Sequence, residues 1–529
     1  MLTTLHPSAQ RSRGDGGPDP EERAPLRAAI SAVAIEPAPE PGEAFESLRA
    51  RAEPWLLESA LRGEPLGRHS FVGADPWLVL RAWGDRVEIE CRRALRPELA
   101  SGHHRLRADP LDVIRALLPP PPEDAPPGIP FVGGAVGHFG YELASRFEPV
   151  RLSAPDDLRL PDLALLFVDR VLAWDHAQGS LVALGLGMAA DVEAARERAR
   201  VAAREIAAAA AGGGHREPRG GTGGRGRPPR ASLGREGFTR GVETILGEIA
   251  AGNVYQACLT HRLEVDYTGD PWDLYRELRR TSPAPFACYL ELPEVTVVGS
   301  SPERFLHVLP DGRVESRPIK GTRPRGRDPE EDRRLRQDLA ESEKDRAENL
   351  MIVDLVRNDL GRVCATGSVA VPELLAIEDY ARVFQLVSTV TGRLAPERDA
   401  LDLVRATFPP GSMTGAPKIA AMRLLDRLEP VRRGIYAGAI GWLDARGGAD
   451  LAVVIRTLLV RQGRAYLHAG AGIVADSDPC AEWRETLDKA GPLLDALAAC
   501  GARDAVRLRA ACETPAAPPP CSARMATPR

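Results

Sequence analysis

The sequence predicts an α+β fold with mostly antiparallel strand pairing, and three observations carry that reading. Residues 26–211 are dense in short strand-like runs. Residues 232–511 alternate helix-period and strand-period patterns. The strand runs also meet at tight polar turns, 175–179 and Asp311–Gly312, which suit hairpins rather than the long crossovers of a doubly wound parallel sheet.

In the first half, residues 70–72, 77–81 and 86–90 read as short strands, and 163–174 pairs with 180–186 around the polar turn. Residues 191–210 are rich in Ala and charge, which predicts a helix. In the second half, Thr239 is placed to cap a helix whose apolar face carries Val242, Ile245, Leu246 and Ile249, with Gly252 and Asn253 ending it. Strands follow at 285–292, 295–300, 304–308 and 313–318, then two helices over 329–360 that meet near Ser342. A helix at 416–428, strands at 436–444, 450–461 and 464–474, and a helix from about 479 to 500 complete the order.

At 43% hydrophobic and 27% charged residues the composition is that of a globular chain, and a net charge of −5 argues against a nucleic-acid or membrane-surface partner. No apolar stretch approaches the ~20 residues of a membrane span, and the first residues do not read as a secretory signal. The eight cysteines form no C-x-x-C pair, so they read as reduced thiols and point to the cytoplasm. Residues 1–25 and 512–529 are expected to be disordered, and 212–231, rich in Gly and Arg, to be a linker.

Several segments bear chemistry. Asp345 and Glu348 are three apart on one helical face, with Leu350, Val353 and Val356 on another, and Glu482 and Glu485 repeat the three-residue spacing. A hard cation would relieve such paired charge, and a solvated charged face is the plain alternative. Lys320 stands between Ile319 and Gly321 with Arg317, Arg323 and Arg325 nearby. Neighbouring positive charge and burial would depress its pKa and favour the nucleophilic amine, while Gly321 would admit close approach of a ligand. Gly470 and Gly472, in HAGAGIVADS, offer backbone N–H groups to a carboxylate. Ser412 and Thr414 cap the next helix or bind an anion, and Arg456 in an apolar run is either exposed or paired with an anion.

In their order along the chain, NVYQACLTHR, GSSPERFL, RPIKGTRPRG, AENLMIVDLVRND, FQLVSTVTG, FPPGSMTGAPK, YAGAIGW, IRTLLV, HAGAGIVADS and EWRETLDKA resemble the chorismate-utilising enzymes. The resemblance spans roughly residues 50–500 and implies an anthranilate-synthase-like α/β sandwich: two stacked, mainly antiparallel sheets flanked by helices, with the active site in the cleft between them. It implies Mg²⁺ as cofactor, with Glu348 and Glu485 as direct ligands and Asp345 and Glu482 behind them. Tyr436, Arg456, Gly470 and Gly472 would clamp chorismate, with Gln256, Gln385, Ser412, Thr414 and Lys489 lining its site. Glu303 resembles the general acid for the C4 hydroxyl. Leu57, Glu58 and Ser59 resemble the segment that holds tryptophan as a structural or inhibitory ligand.

Within that resemblance Lys320 decides the branch. Aminodeoxychorismate synthases typically read P-I-K-G-T where anthranilate synthases read P-I-A-G-T, and this chain has the lysine. Gln256 stands where the water-adding members carry a lysine base. Gln385 departs from the histidine usual at its position. The implied activity is amination of chorismate to 4-amino-4-deoxychorismate through a Lys320 covalent intermediate, on the way to p-aminobenzoate and folate. No G-x-C-x-G elbow occurs, so ammonia would come from a separate glutaminase subunit. Anthranilate synthase component I and a non-catalytic regulatory subunit that binds tryptophan or a partner are the alternatives.

Overall fold

The structure, a computed structural model, describes residues 25–61, 66–96, 98–212, 226–380 and 383–513. The expected N-terminal extension up to residue 24, residues 213–225 of the expected linker and the tail beyond 513 lie outside the described residues.

Two sheets of twelve strands each form the framework, and every pairing within them is antiparallel. Both halves of the chain feed both sheets. In the first sheet, Trp55–Glu58 pairs with Phe286–Glu291. In the second, Gly134–Phe139 pairs with Ala439–Asp444. The hairpins expected at 175–179 and at Asp311–Gly312 are present: Ser180 faces Asp175, and Val308 faces Val314.

Two runs that read as single strands are each broken where the chain changes sheets. Residues 163–174 divide into Leu163–Val168 of the second sheet and Arg170–Asp175 of the first. The break falls at Asp169, whose buried carboxylate accepts two 2.7 Å hydrogen bonds from Arg93. Residues 450–461 divide likewise into Ala449–Val453 and Thr457–Arg461, with Arg456 in the break at a left-handed φ of +49°. Apolar periodicity is continuous through both points because both sides are buried, so it gives no sign of the change of layer.

Helices cover the sheets. The Ala-rich helix Val192–Ala211 lies so close to the strand Ser180–Ala189 that a Cβ on Gly185 would stand 2.1 Å from the Ala199 carbonyl oxygen. The helices Pro329–Glu341 and Glu343–Gly361 meet at Ser342, as expected, and its hydroxyl accepts the Asp345 N–H. Thr239 is not a cap. The helix begins at Arg235, one turn earlier, and the Thr239 hydroxyl donates to the Glu236 carbonyl. The strands Ala370–Asp379 and Val383–Arg393 have no counterpart in the sequence reading. Arg230–Ala231, read as linker, pair with Gln256–Asp266, and the last helix runs on to Glu513.

Between the sheets Phe131 packs on Trp442 of the second sheet and on Phe71 and Trp55 of the first, at ring-centroid distances of 5.3, 5.6 and 6.3 Å. Phe131 is fully buried, so Phe131→Ala is expected to cost ~3–5 kcal/mol of stability through the lost transfer and the cavity left behind. Urea unfolding of the purified variant against wild type measures it.

Candidate active site

Lys320, on the edge strand Ile319–Pro324 of the second sheet, points across to the first. A Cβ placed on Gly472 would lie 2.6 Å from Gln256 Nε2, 3.3 Å from Lys320 Nζ and 3.5 Å from Glu348 Oε2. Strands of both sheets and the helix Glu343–Gly361 thus meet at one point. Lys320 Nζ stands 3.8 Å from Glu348 Oε2, and both side chains are largely buried. The Gln256 amide, 1% exposed, has no hydrogen-bond partner at either polar atom. Leaving such a group bare costs free energy, so its emptiness marks a surface that a polar ligand completes.

The charge environment of Lys320 differs from the sequence expectation. Arg317, Arg323 and Arg325 do not face it. Arg317 pairs with Glu378 and Glu373, Arg323 with Asp338 and Asp345, and Arg325 with Asp332. Burial pushes the Lys320 amine down, but Glu348, and then Cys258, Glu303 and Glu485, outweigh it and hold the pKa above its ordinary value. Gly321 also serves another purpose. At φ +80° its bare Cα lets Leu339 and Asp345 close in, each within 2.9 Å of where a Cβ would be.

Glu303 is buried, and desolvation raises its pKa to about 7 against the opposing pull of Ser412, Lys320, the Ile319 N–H and Lys489. The carboxyl is therefore poised to hold or release a proton near neutral pH. Ser412 and Thr414 do not cap the following helix, which starts at Lys418 behind Pro417. The Ser412 hydroxyl lies against Glu303, and Thr414 donates to the Gly411 carbonyl at 3.2 Å.

Four carboxylates gather on the helical side. Burial raises the Glu348 pKa, with Lys320 and then Lys344 opposing. Glu485 is held below its usual range because Lys489, Lys344 and Lys320 outweigh burial. Glu482 accepts from Ser477 at 2.6 Å and from Lys344 at 3.1 Å, while its Oε2 is buried with no partner. Asp345 stands behind them, 3.1 Å from Arg323. The apolar stripe of this helix is Ile352, Val353, Val356 and Leu360; Leu350, expected on it, is 51% exposed.

Among the described residues no three His, Cys, Asp or Glu side chains stand at metal-ligating spacing. The site offers a hard cation the Glu348 and Glu485 carboxylates, with the orphaned Glu482 oxygen behind them. Mg²⁺ needs only one or two carboxylates, the rest coming from substrate and water, so this donor set fits a cation shared with an anionic ligand.

On the other side, Arg456 is half-buried, and no hydrogen bond or ion pair reaches its guanidinium among the described residues. Burial alone lowers its pKa. Tyr436 is buried and stacks on His468 with centroids 4.8 Å apart. Gly470 and Gly472 lie near the end of the strand Arg464–Ile473, as expected. Gly470 allows contact with Thr260 and the Leu259 carbonyl, and its own carbonyl accepts from Lys489 at 3.0 Å. Gln385 is buried opposite Thr322, two residues along the strand from Lys320.

Leu57, Glu58 and Ser59 do not join this cluster. They line a separate cavity of about 560 Å³ between the sheets, with Phe71, His307 and Trp442. The Glu58 charge is taken up by Arg279 and Tyr275, and the Ser59 hydroxyl donates to the Leu61 carbonyl.

Two buried cations that the sequence reading passed over hold the site together. Lys418 donates to Asp359, the Thr407 carbonyl and the Pro409 carbonyl, tying the 409–414 loop to the helix of Glu348. A lysine in the first turn of a helix opposes the macrodipole, and that is the signal in the sequence that it is paired elsewhere. Arg433, 2% exposed, bonds Glu429 twice and also the Met413 and Cys258 carbonyls.

With this geometry in view, the comparisons with known proteins are direct. The family model described as chorismate binding enzyme matches residues 69–495. The chain belongs to the chorismate-binding enzyme family. Aminodeoxychorismate synthase component 1 of Klebsiella aerogenes is 40% identical over 455 residues, 84% of this chain and 94% of the relative. Anthranilate synthase component 1 of Mycolicibacterium smegmatis is 41% identical over 480 residues, 87% of this chain and 88% of the relative. The crystal structure of anthranilate synthase component I from Streptococcus pneumoniae superposes with a TM-score of 0.69 at 31% identity, covering 82% of this chain and 93% of that one. The fold is thus the anthranilate synthase component I fold, and the chain is a chorismate-utilising enzyme. Identity does not separate the two names, since both occur at nearly the same level. No helix among the described residues is long and apolar enough to cross a membrane.

Arg433→Ala is expected to destabilise this chorismate-binding enzyme by ~3–5 kcal/mol, because it leaves the Glu429 charge buried and unpaired. Thermal and urea unfolding report the loss.

Proposed function

We propose that the chain aminates chorismate to 4-amino-4-deoxychorismate, and that the observation carrying this reading is Lys320 itself. Its amine lies in the cleft beside Gly472, Gln256 and Glu348. An alanine there would leave ammonia to attack C2 directly, toward anthranilate. A lysine can take C2 first.

The proposed sequence uses this chain's own groups. Arg456, half-buried and without a side-chain partner among the described residues, and the Tyr436 region bind substrate carboxylate. Neutral Lys320 attacks C2 while the protonated Glu303 gives its proton to the departing C4 hydroxyl, which leaves as water. Ammonia then attacks C4 and expels the lysine, so nitrogen ends at C4. Mg²⁺ held by Glu348 and Glu485, with Glu482 and Asp345 behind, would bind the substrate carboxylate and neutralise the acids that now keep Lys320 charged. Ammonia would be supplied by a glutaminase partner, in keeping with the "component 1" names of the relatives. The cavity at Leu57, Glu58 and Ser59 would take tryptophan, as a structural or inhibitory ligand.

Lys320→Ala is expected to lower aminodeoxychorismate formation on the order of a hundredfold or more and to divert product toward anthranilate. Purified protein with chorismate, Mg²⁺ and an ammonium salt, resolved by chromatography with and without an added lyase, tests it. Anthranilate as the main product of the wild-type chain would sink the reading.

Glu303 acts as an acid, so with a pKa of about 7 its active form is present below that pH and lost as pH rises through it. The rate of C4–O cleavage should therefore fall above about pH 7. Glu303→Gln should remove that limb and slow cleavage ~10²–10⁴-fold, with chorismate binding largely intact. Stopped-flow rates and a binding titration across pH separate the two effects.

A further inference from the structure

The acidic face proposed to hold a cation already carries three ammonium groups. Lys320 stands 3.8 Å from Glu348, Lys489 2.6 Å from Glu485 and Lys344 3.1 Å from Glu482. Two of these are anchored by other ties. Lys320 is enclosed by both sheets, and Lys489 also donates to the Gly470 carbonyl.

Among the described residues Lys344 has no such second tie, and it differs from Lys489, 44% exposed, in the burial of its partner. Its side chain is 45% exposed, while its Glu482 partner is 2% exposed. The Glu482 carboxylate is its one hydrogen-bond partner among the described residues, and its charge also reaches Glu348 and Glu485. It sits in the first turn of the helix Glu343–Gly361, where the backbone dipole disfavours a positive side chain, so the acids and not the helix hold it inward. Beside it, the buried Glu482 Oε2 has no hydrogen-bond partner among the described residues.

We propose that Lys344 is a built-in counter-ion of the cation site, occupying it electrostatically when empty and withdrawing to solvent when a divalent cation enters. This rests on the cation reading above. The ammonium and the cation would balance the same carboxylates, since Lys344 holds Glu482 Oε1 beside the bare Oε2 and its charge reaches Glu348 and Glu485, and a flexible four-carbon stem with a half-exposed end can swing away at little cost. The device keeps buried carboxylates paired in the empty enzyme. It also weakens cation binding in the absence of substrate, so that the cation and the anionic substrate, which brings its own negative charge, enter together.

The test is Mn²⁺ binding to the full-length chain without substrate, by calorimetry and by the spin-resonance signal of free Mn²⁺. Lys344→Met is expected to tighten binding by about threefold to fivefold, the range of a partly exposed ion pair, and Lys344→Gln to do the same. Lys344→Arg, which keeps the charge, should stay near wild type. Glu485→Ala should weaken binding in every background. If wild type binds Mn²⁺ through Glu485 but both neutral variants bind no more tightly, the counter-ion role is overturned and the cation reading stands. If Mn²⁺ binding is absent from all variants, or indifferent to Glu485, both fall.

Discussion

Lys320 and Glu348 bring opposite charges from a sheet edge and a helix to within 3.8 Å, with both side chains largely buried. The surrounding structure keeps that pair in place. A buried ammonium and carboxylate are costly to desolvate and stay only where geometry and further partners compensate. Here Glu303, Glu485 and Cys258 add to the hold on the lysine, and Lys344 to the hold on the glutamate. The outcome is a site whose acids Glu348, Glu485 and Glu482 are balanced by Lys320, Lys489 and Lys344.

Support for this pair comes from satisfied polar groups rather than from apolar packing alone. Lys418 and Arg433 each spend nearly all their donors on carbonyls and carboxylates of neighbouring segments, fixing the 409–414 loop against the helix of Glu348 and the strand of Gln256. In the cleft the Gln256 amide, the Glu482 Oε2 and the Arg456 guanidinium are without hydrogen-bond partners among the described residues.

Much of the architecture was legible from the residues. Short polar turns gave antiparallel pairing, and Ser342 marked the joint between two helices. What stayed hidden has physical reasons. Asp169 and residues 454–456 change sheets inside apolar runs that are buried on both sides, where periodicity carries no record of layer. Arg317, Arg323 and Arg325 are close to Lys320 in sequence, but each finds a carboxylate of its own, a fact set by tertiary contacts. The spacings of Asp345 with Glu348 and of Glu482 with Glu485 located the acidic face, yet gave no hint that three lysines already neutralise it. Arg456 lay evenly between surface and anion partner on sequence grounds; its burial at a break between layers was not readable there.

The interleaving of the two halves bears on how the chain is made. The strand Trp55–Glu58 pairs with His69–Gly73 on one side, but its other edge waits for Phe286–Glu291, and Gly134–Phe139 pairs with Leu163–Val168 while its other edge waits for Ala439–Asp444. During synthesis the early strands therefore leave the ribosome with open hydrogen-bonding edges that stay unsatisfied until several hundred more residues have emerged. Until then such a nascent chain is exposed to edge-to-edge association, a hazard that the stability of the finished molecule does not remove.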